Sequence, residues 1–206
     1  MTARIDHGVT SGTFSLDGGT FDVDNNVWVV GDDHECVVID APHAVDPIVE
    51  LVAGRRVVAI LCTHAHDDHV RVAPELARAL HAPVLLHPDD LPLWRLANGD
   101  DPPDGDLADG QEIAVAGTTL QVLHTPGHSP GAVCFHVPDL NVVFTGDTLF
   151  NGGPGATGRS FSDEHLLLRS ITDQLLPLPG TTIVKTGHGD DTTLADEKPG
   201  ILAAAG

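Results

Sequence analysis

The segment Thr63-His64-Ala65-His66-Asp67-Asp68-His69 follows directly on Val57 to Leu61, an apolar run of strand length. A run of that kind suits a buried central strand, so the polar cluster is expected where that strand ends and the chain turns. His64 and His66 stand two residues apart and can point to one side of an extended backbone. Asp68 and His69 follow in the turn and can aim at a second point nearby. Four nitrogen and oxygen ligands within six residues exceed what one tetrahedral metal needs, because further candidates recur downstream. These are His128 in Thr125-Pro126-Gly127-His128-Ser129, Asp147 in Phe144-Thr145-Gly146-Asp147-Thr148, and His188 in Thr186-Gly187-His188-Gly189. Each comes at the C-terminal end of an expected strand, bracketed by Gly or Pro that make the loop irregular.

The rest of the chain reads as strands interleaved with helices. Thr13 to Leu16 and Thr20 to Val23 flank Asp17-Gly18-Gly19, a hairpin signal because Gly accepts positive φ at no steric cost. Val27 to Val30 and Cys36 to Ile39 are short β-branched runs. Ile48, Leu51 and Val52 set a helical spacing that ends at Gly54, and Val72 to Leu80 forms a second helix. Pro83 to Leu86 is a strand, and Asp89-Asp90 is expected to cap a short helix reaching Leu96. Asn98 to Gly110, dense in Asp, Pro and Gly, reads as an exposed acidic loop. Four strands are expected at Ile113 to Val115, Thr118 to His124, Ala132 to Val137 and Val142 to Thr145. A loop over Asn151 to Gly158 precedes a helix over Asp163 to Leu176 capped by Ser162. A last strand, Thr181 to Lys185, leads to a helical turn opened by Thr193 and closed by Pro199 and Gly200. No repeat or linker divides the chain, so residues 1–206 are expected to form one α/β layered domain.

Composition narrows the partners. Ten Lys and Arg against thirty Asp and Glu leave a formal charge of −20. Nucleic acid and anionic membrane surfaces require basic patches to release counterions, and neither is an expected partner. Cys36, Cys62 and Cys134 each sit in an apolar run; an odd count without framework spacing implies buried reduced thiols. With no apolar leader after Met1 and no stretch near the ~18 residues of a membrane span, a cytoplasmic location is expected.

Taken together, Asp40 at a strand end, the HxHxDH loop, TPGHS, TGD and GHG resemble the five signature blocks of the metallo-β-lactamase-fold hydrolases, and within them the short glyoxalase II-like branch. The resemblance covers essentially the whole chain. It implies a four-layer αβ/βα sandwich with metals at one edge. By position, His64, His66 and His128 would hold one ion, Asp68, His69 and His188 a second, and Asp147 would bridge them. Asp68 and Asp147 would be the catalytic carboxylates, while Asp40 would orient ligands rather than bind metal. Two divalent ions, zinc before iron, can share a hydroxide acidified toward neutrality and polarise a carbonyl.

Within the family the chain has no tyrosine, unlike the lactonases that place one at the carbonyl, and Asp147 stands where common zinc β-lactamases have Cys. At this length no C-terminal helical domain like that of full-length glyoxalase II is expected. Hydrolysis is favoured because the GHG histidine and the seven-ligand set complete a dinuclear site, and the expected substrate is a thioester of a low-molecular-weight thiol of the glutathione or mycothiol type. The alternative is a persulfide dioxygenase, in which one Fe(II) would use His128, Asp147 and one histidine of the HxH pair. A two-His-one-carboxylate face with open positions is what O₂ activation needs. Arg159, beside the Gly-rich loop, is the candidate for an anionic substrate group because guanidinium forks match carboxylates. Asp67 is expected to add negative charge beside the metals. His7, His34, His81, His87, His136 and His165 are expected at the surface or half-buried, His124 in packing, and His43 at the surface or the site mouth.

Overall fold

The computed structural model describes residues 3–206. Its first half is a six-stranded sheet ordered as the chain runs: β1 (Arg4–Leu16), β2 (Gly19–Gly31), β3 (Glu35–Ile39), β4 (Arg56–Leu61), β5 (Val84–Leu86) and β6 (Gly105–Asp106). The first three pair antiparallel and β3 to β6 parallel. Parallel neighbours need crossovers, and α1 (Val45–Val52), α2 (Asp67–Val70), α3 (Ala73–Leu80) and α4 (Leu91–Asn98) lie in those connections. The second half builds a sheet from β7 (Glu112–Val115), β8 (Thr118–His124), β9 (Val133–Val137) and β10 (Val142–Gly146). A small hairpin, β11 (Leu149–Phe150) with β12 (Gly153–Pro154), then leads to α5 (Glu164–Ser170). β13 (Ile183–Thr186) and β14 (Thr192–Thr193) complete that sheet before α6 (Leu194–Ala205).

Strand alternation assigns residues to layers. Along β2 and β3, Trp28, Val30, Val37 and Ile39 face the second sheet and pack with Leu120, Val122, Phe135 and Phe144. Their neighbours Val27, Val29, Cys36 and Val38 face the helices and meet Ile48, Val52, Leu76 and Trp94. On the far side Cys134, Val143 and Val184 pack against Leu167, Ile171 and Ile201 of the C-terminal helical segments. The result is the expected α/β sandwich of helices, sheet, sheet, helices. All three cysteines are free and buried. No helix among the described residues is long and apolar enough to cross a membrane.

Local expectations fail where long-range contacts intervene. Asp90 stands at the N-cap position of α4, but its side chain makes no cap bond: the carboxylate is buried and turned toward distant loops. Asp163, not Ser162, caps α5 by accepting from Leu166 N at 2.9 Å. That helix is shorter than expected and passes into a π-helical turn at Ile171–Leu175. Pro199 lies inside α6, which continues to Ala205 because Leu194 and Ile201 are anchored in the core. The acidic 98–110 loop contributes the edge strand β6 and the buried Leu107. His87 and His136 are buried rather than superficial or half-buried.

Candidate metal centre

β3 and β4 are parallel neighbours and end together, which sets Asp40 beside the HxHxDH loop. Asp40 accepts from Thr63 N at 2.7 Å and Thr63 Oγ1 at 2.8 Å, and its Oδ2 lies 2.8 Å from His69 Nδ1. The Thr63 hydroxyl, donating to Asp40, accepts from His64 Nδ1 at 3.1 Å. His128 Nδ1 donates to the Ala156 carbonyl at 2.8 Å, and His188 Nδ1 to the Asp24 carbonyl at 2.7 Å. Four rings are thus oriented through Nδ1, and their Nε2 atoms face inward. Such outward partners are typical of metal-ligating histidines.

The inward atoms form two trios. Those of His64, His66 and His128 lie within 4.8 Å of one another, as do those of Asp68, His69 and His188. Asp147 stands between them, with Oδ2 3.6 Å from His128 Nε2 and 3.5 Å from His188 Nε2, and Oδ1 3.2 Å from His69 Nε2. Its place at the end of β10 depends on Gly187, where an added Cβ would lie 2.4 Å from Asp147 Oδ1. All seven residues expected as ligands are brought together.

The donor set suits cations. His64 Nε2 and His128 Nε2 each lie 3.0 Å from His66 Nδ1, so three ring nitrogens converge on one point. Burial holds both His64 and His66 low, His66 at about 3, and neutral imidazole is the ligating form. At the second trio, burial opposes charge on His188, but Asp147 and Asp68 outweigh it and lift it to about 10. His69 moves the same way: against its burial, Asp147, Asp68 and Asp40 favour its charged form. Burial would raise Asp147, yet His69 and His188 hold it well below the carboxylate range. Asp147 Oδ1 is buried without a hydrogen-bond partner. Asp68 and Asp147 thus favour positive charge at this trio, which suits divalent ions.

Three supports were not legible in the motifs. Asp90 accepts from Ala65 N and Ser129 Oγ, both at 2.8 Å, and from Gly131 N at 2.6 Å, tying the HxHxDH loop to the TPGHS loop. Asn25, buried in β2, donates from Nδ2 to Asp68 Oδ2 at 3.1 Å and accepts from His43 Nε2 at 2.7 Å. His43 therefore reaches the site through Asn25. Asn26 donates to the Thr186 and Gly189 carbonyls, each at 3.0 Å, and fixes the loop carrying His188. Asp67, by contrast, turns away from the trios to pair with Arg71 and accept from Ser15 N.

The trios open into a cavity of about 540 Å³ whose wall includes Phe14, Phe21 and Phe150. Arg159 lines the same cavity, its guanidinium 4.6 Å from the Phe21 ring centre and 5.5 Å from that of Phe14. A cation held over aromatic faces keeps its in-plane donors available.

Residues 20–188 match the sequence profile of the Metallo-beta-lactamase superfamily. The chain belongs to that superfamily. Among its metallo-hydrolase relatives, hydroxyacylglutathione hydrolase GloC of Haemophilus influenzae is 33% identical over 189 residues, 84% of this chain and 87% of GloC. The crystal structure of TTHA1623 in a di-iron-bound form superposes with a TM-score of 0.77 at 38% identity, covering 85% of this chain and 93% of that one. ETHE1 from Myxococcus xanthus superposes with a TM-score of 0.75 at 26% identity, over 95% of this chain and 84% of its own. These relatives place the chain in the glyoxalase II-like part of the superfamily, whose neighbours also include ETHE1.

Proposed function

We propose that this metallo-hydrolase cleaves thioesters of a low-molecular-weight thiol at a dinuclear centre formed by His64, His66 and His128, by Asp68, His69 and His188, and by Asp147 between them. The observation that carries the reading is the position of Asp147 Oδ2, 3.6 Å from His128 Nε2 and 3.5 Å from His188 Nε2. One carboxylate faces both trios, and the GHG histidine completes the second. Two divalent ions, zinc first among them, supply Lewis acidity toward a carbonyl and lower the pKa of water toward neutrality.

The chain's own groups do the rest. The Nδ1 contacts of His64, His69, His128 and His188 lock ring orientation, so little reorganisation is needed during reaction. Phe14, Phe21 and Phe150 present an apolar wall that displaces water beside the reacting carbon. Arg159 offers its fork to a substrate carboxylate. A thiol of reference pKa ~8.5 leaves as thiolate without strong acid assistance, so the chemistry does not call for a proton donor aimed at the sulfur. GloC, by its name an acylglutathione hydrolase, supports the thioester class.

The second reading, a persulfide dioxygenase with one Fe(II) on His64 or His66, His128 and Asp147, is favoured by the likeness to ETHE1, whereas the di-iron form of TTHA1623 supports iron in a two-metal site. His188→Ala separates the two. It should lower thioester hydrolysis by at least the ~100-fold seen when metal-site partners are lost; a mononuclear dioxygenase would keep most of its oxygen uptake with a persulfide. Thiol release from a thioester panel under argon tests the class itself. Release independent of oxygen is expected, whereas release absent under argon alongside persulfide-dependent oxygen uptake in air would reverse the ranking.

For Arg159→Ala, the loss of a charge-assisted pair worth about 1.5–3 kcal/mol should raise KM for a carboxylate-bearing thioester at least about tenfold with kcat little changed. A thioester lacking the carboxylate should show no such rise. Equal effects on both substrates would remove Arg159 from substrate recognition.

A further inference from the structure

Outside the centre, His87, Asp89 and His124 bring three ligand atoms within 4.8 Å of one another. His87 follows β5 in the first sheet and precedes the 3-10 turn Pro88–Asp90. His124 ends β8 in the second sheet, where the loop toward His128 begins. The two rings lie face to face, centroids 4.0 Å apart and planes inclined by 12°. This contact therefore bridges the two halves of the sandwich.

The hydrogen bonds leave ligand atoms available. His124 Nε2 donates to the Pro130 carbonyl at 3.0 Å, so in that neutral tautomer Nδ1 carries a lone pair. A backbone carbonyl on the outer nitrogen is the arrangement that fixes tautomer and orientation in metal-ligating histidines. His87 Nδ1 accepts only a long 3.3 Å contact from the Asp89 amide and lies 3.8 Å from Asp89 Oδ2. In the stack the two lone-pair directions run nearly parallel, so binding one ion requires His87 to turn out of the stack and give up that contact. Asp89 is exposed, with its side chain 59% accessible, so solvent can fill remaining coordination positions. Asp109, which accepts from His124 N at 2.8 Å, adds negative charge beside the group.

We propose that His87, Asp89 and His124 form a separate binding site for a transition-metal ion of the Zn²⁺ or Ni²⁺ class. Two imidazoles and a carboxylate select borderline ions over Mg²⁺ or Ca²⁺, which take oxygen ligands. Three protein ligands with open positions make the site more weakly binding than the seven-residue centre. Its place gives it a role. Asp89 adjoins Asp90, the carboxylate that ties the ligand loops, and Pro130 lies between Ser129 and Gly131, two of the donors to Asp90. An ion there staples the β5–α4 connection to the base of the loop carrying His128.

The test is equilibrium dialysis of metal-loaded protein against micromolar Ni²⁺, followed by metal analysis per chain, in the wild type and in His124→Gln, whose amide retains a donor for Pro130. The wild type should hold one ion more than the variant, whatever the principal centre contains. Zn²⁺ at about 100 times its dissociation constant should raise the wild-type Tm by several degrees, and the variant's by less than one. Equal metal content and equal Tm shifts in the two proteins would overturn the site. If His124→Gln fails to fold, His87→Gln reads the same one-ion difference.

Discussion

Asp147→Asn should release metal from both trios and reduce thioester turnover by about three orders of magnitude. The substitution keeps shape and removes one negative charge from a point within 3.6 Å of His69, His128 and His188 nitrogens. A unit charge about 4 Å from a cation at an effective dielectric near 20 is worth roughly 4 kcal/mol per unit of positive charge, about 10³ in affinity. Asp147 Oδ1, buried without a hydrogen-bond partner, fits a carboxylate placed for a cation rather than for a protein donor. Metal analysis and turnover check this together. Retention of wild-type metal content and rate would mean that Asp147 does not join the two trios.

Asp90→Ala should be the most destabilising single change near the site, although Asp90 is not a candidate ligand. It removes the acceptor shared by Ala65 N, Ser129 Oγ and Gly131 N in a position with no solvent exposure. Each buried donor left without its acceptor costs about 1–3 kcal/mol, so stranding three should cost at least about 3–5 kcal/mol. At roughly 2–4 °C per kcal/mol for a chain of this size, Tm should fall by about 10 °C. Metal affinity should fall as well, because the loops carrying His66 and His128 lose their common tie. Asp90→Asn retains an acceptor but points an amide at donors, so it should fall between the two. A Tm within a degree of wild type in Asp90→Ala would show that the loops hold themselves.

What could be read from the sequence follows the range of the interactions involved. His64, His66, Asp68 and His69 share one turn, and His128, Asp147 and His188 each end a strand, so local pattern was enough to nominate them. The α/β layering was legible in short apolar runs and helical spacings, and the four-layer sandwich in the resemblance that the five motif blocks carry. Asp90 looked like a cap because Pro-Asp-Asp before an apolar helix is cap chemistry. Its true partners lie 25 to 41 residues away. Asn25 sits mid-strand, where an amide carries no motif, and only the assembled sheet, with β2 two strands from β4, brings it to Asp68 and His69. His87 and His124 belong to different sheets and read as unrelated surface and packing residues until the sandwich closes. Pro199 misled as a helix stop because the anchors of α6, Leu194 and Ile201, are tertiary.

The central claim is tested most directly by adding Zn²⁺ or Fe²⁺ stepwise to metal-free protein under argon while thiol release from an acyl thioester is recorded. Release should be negligible without metal and rise to a plateau at about two equivalents per chain, as two trios sharing Asp147 require. A plateau at one equivalent, or no release at any loading, would contradict a dinuclear thioester hydrolase.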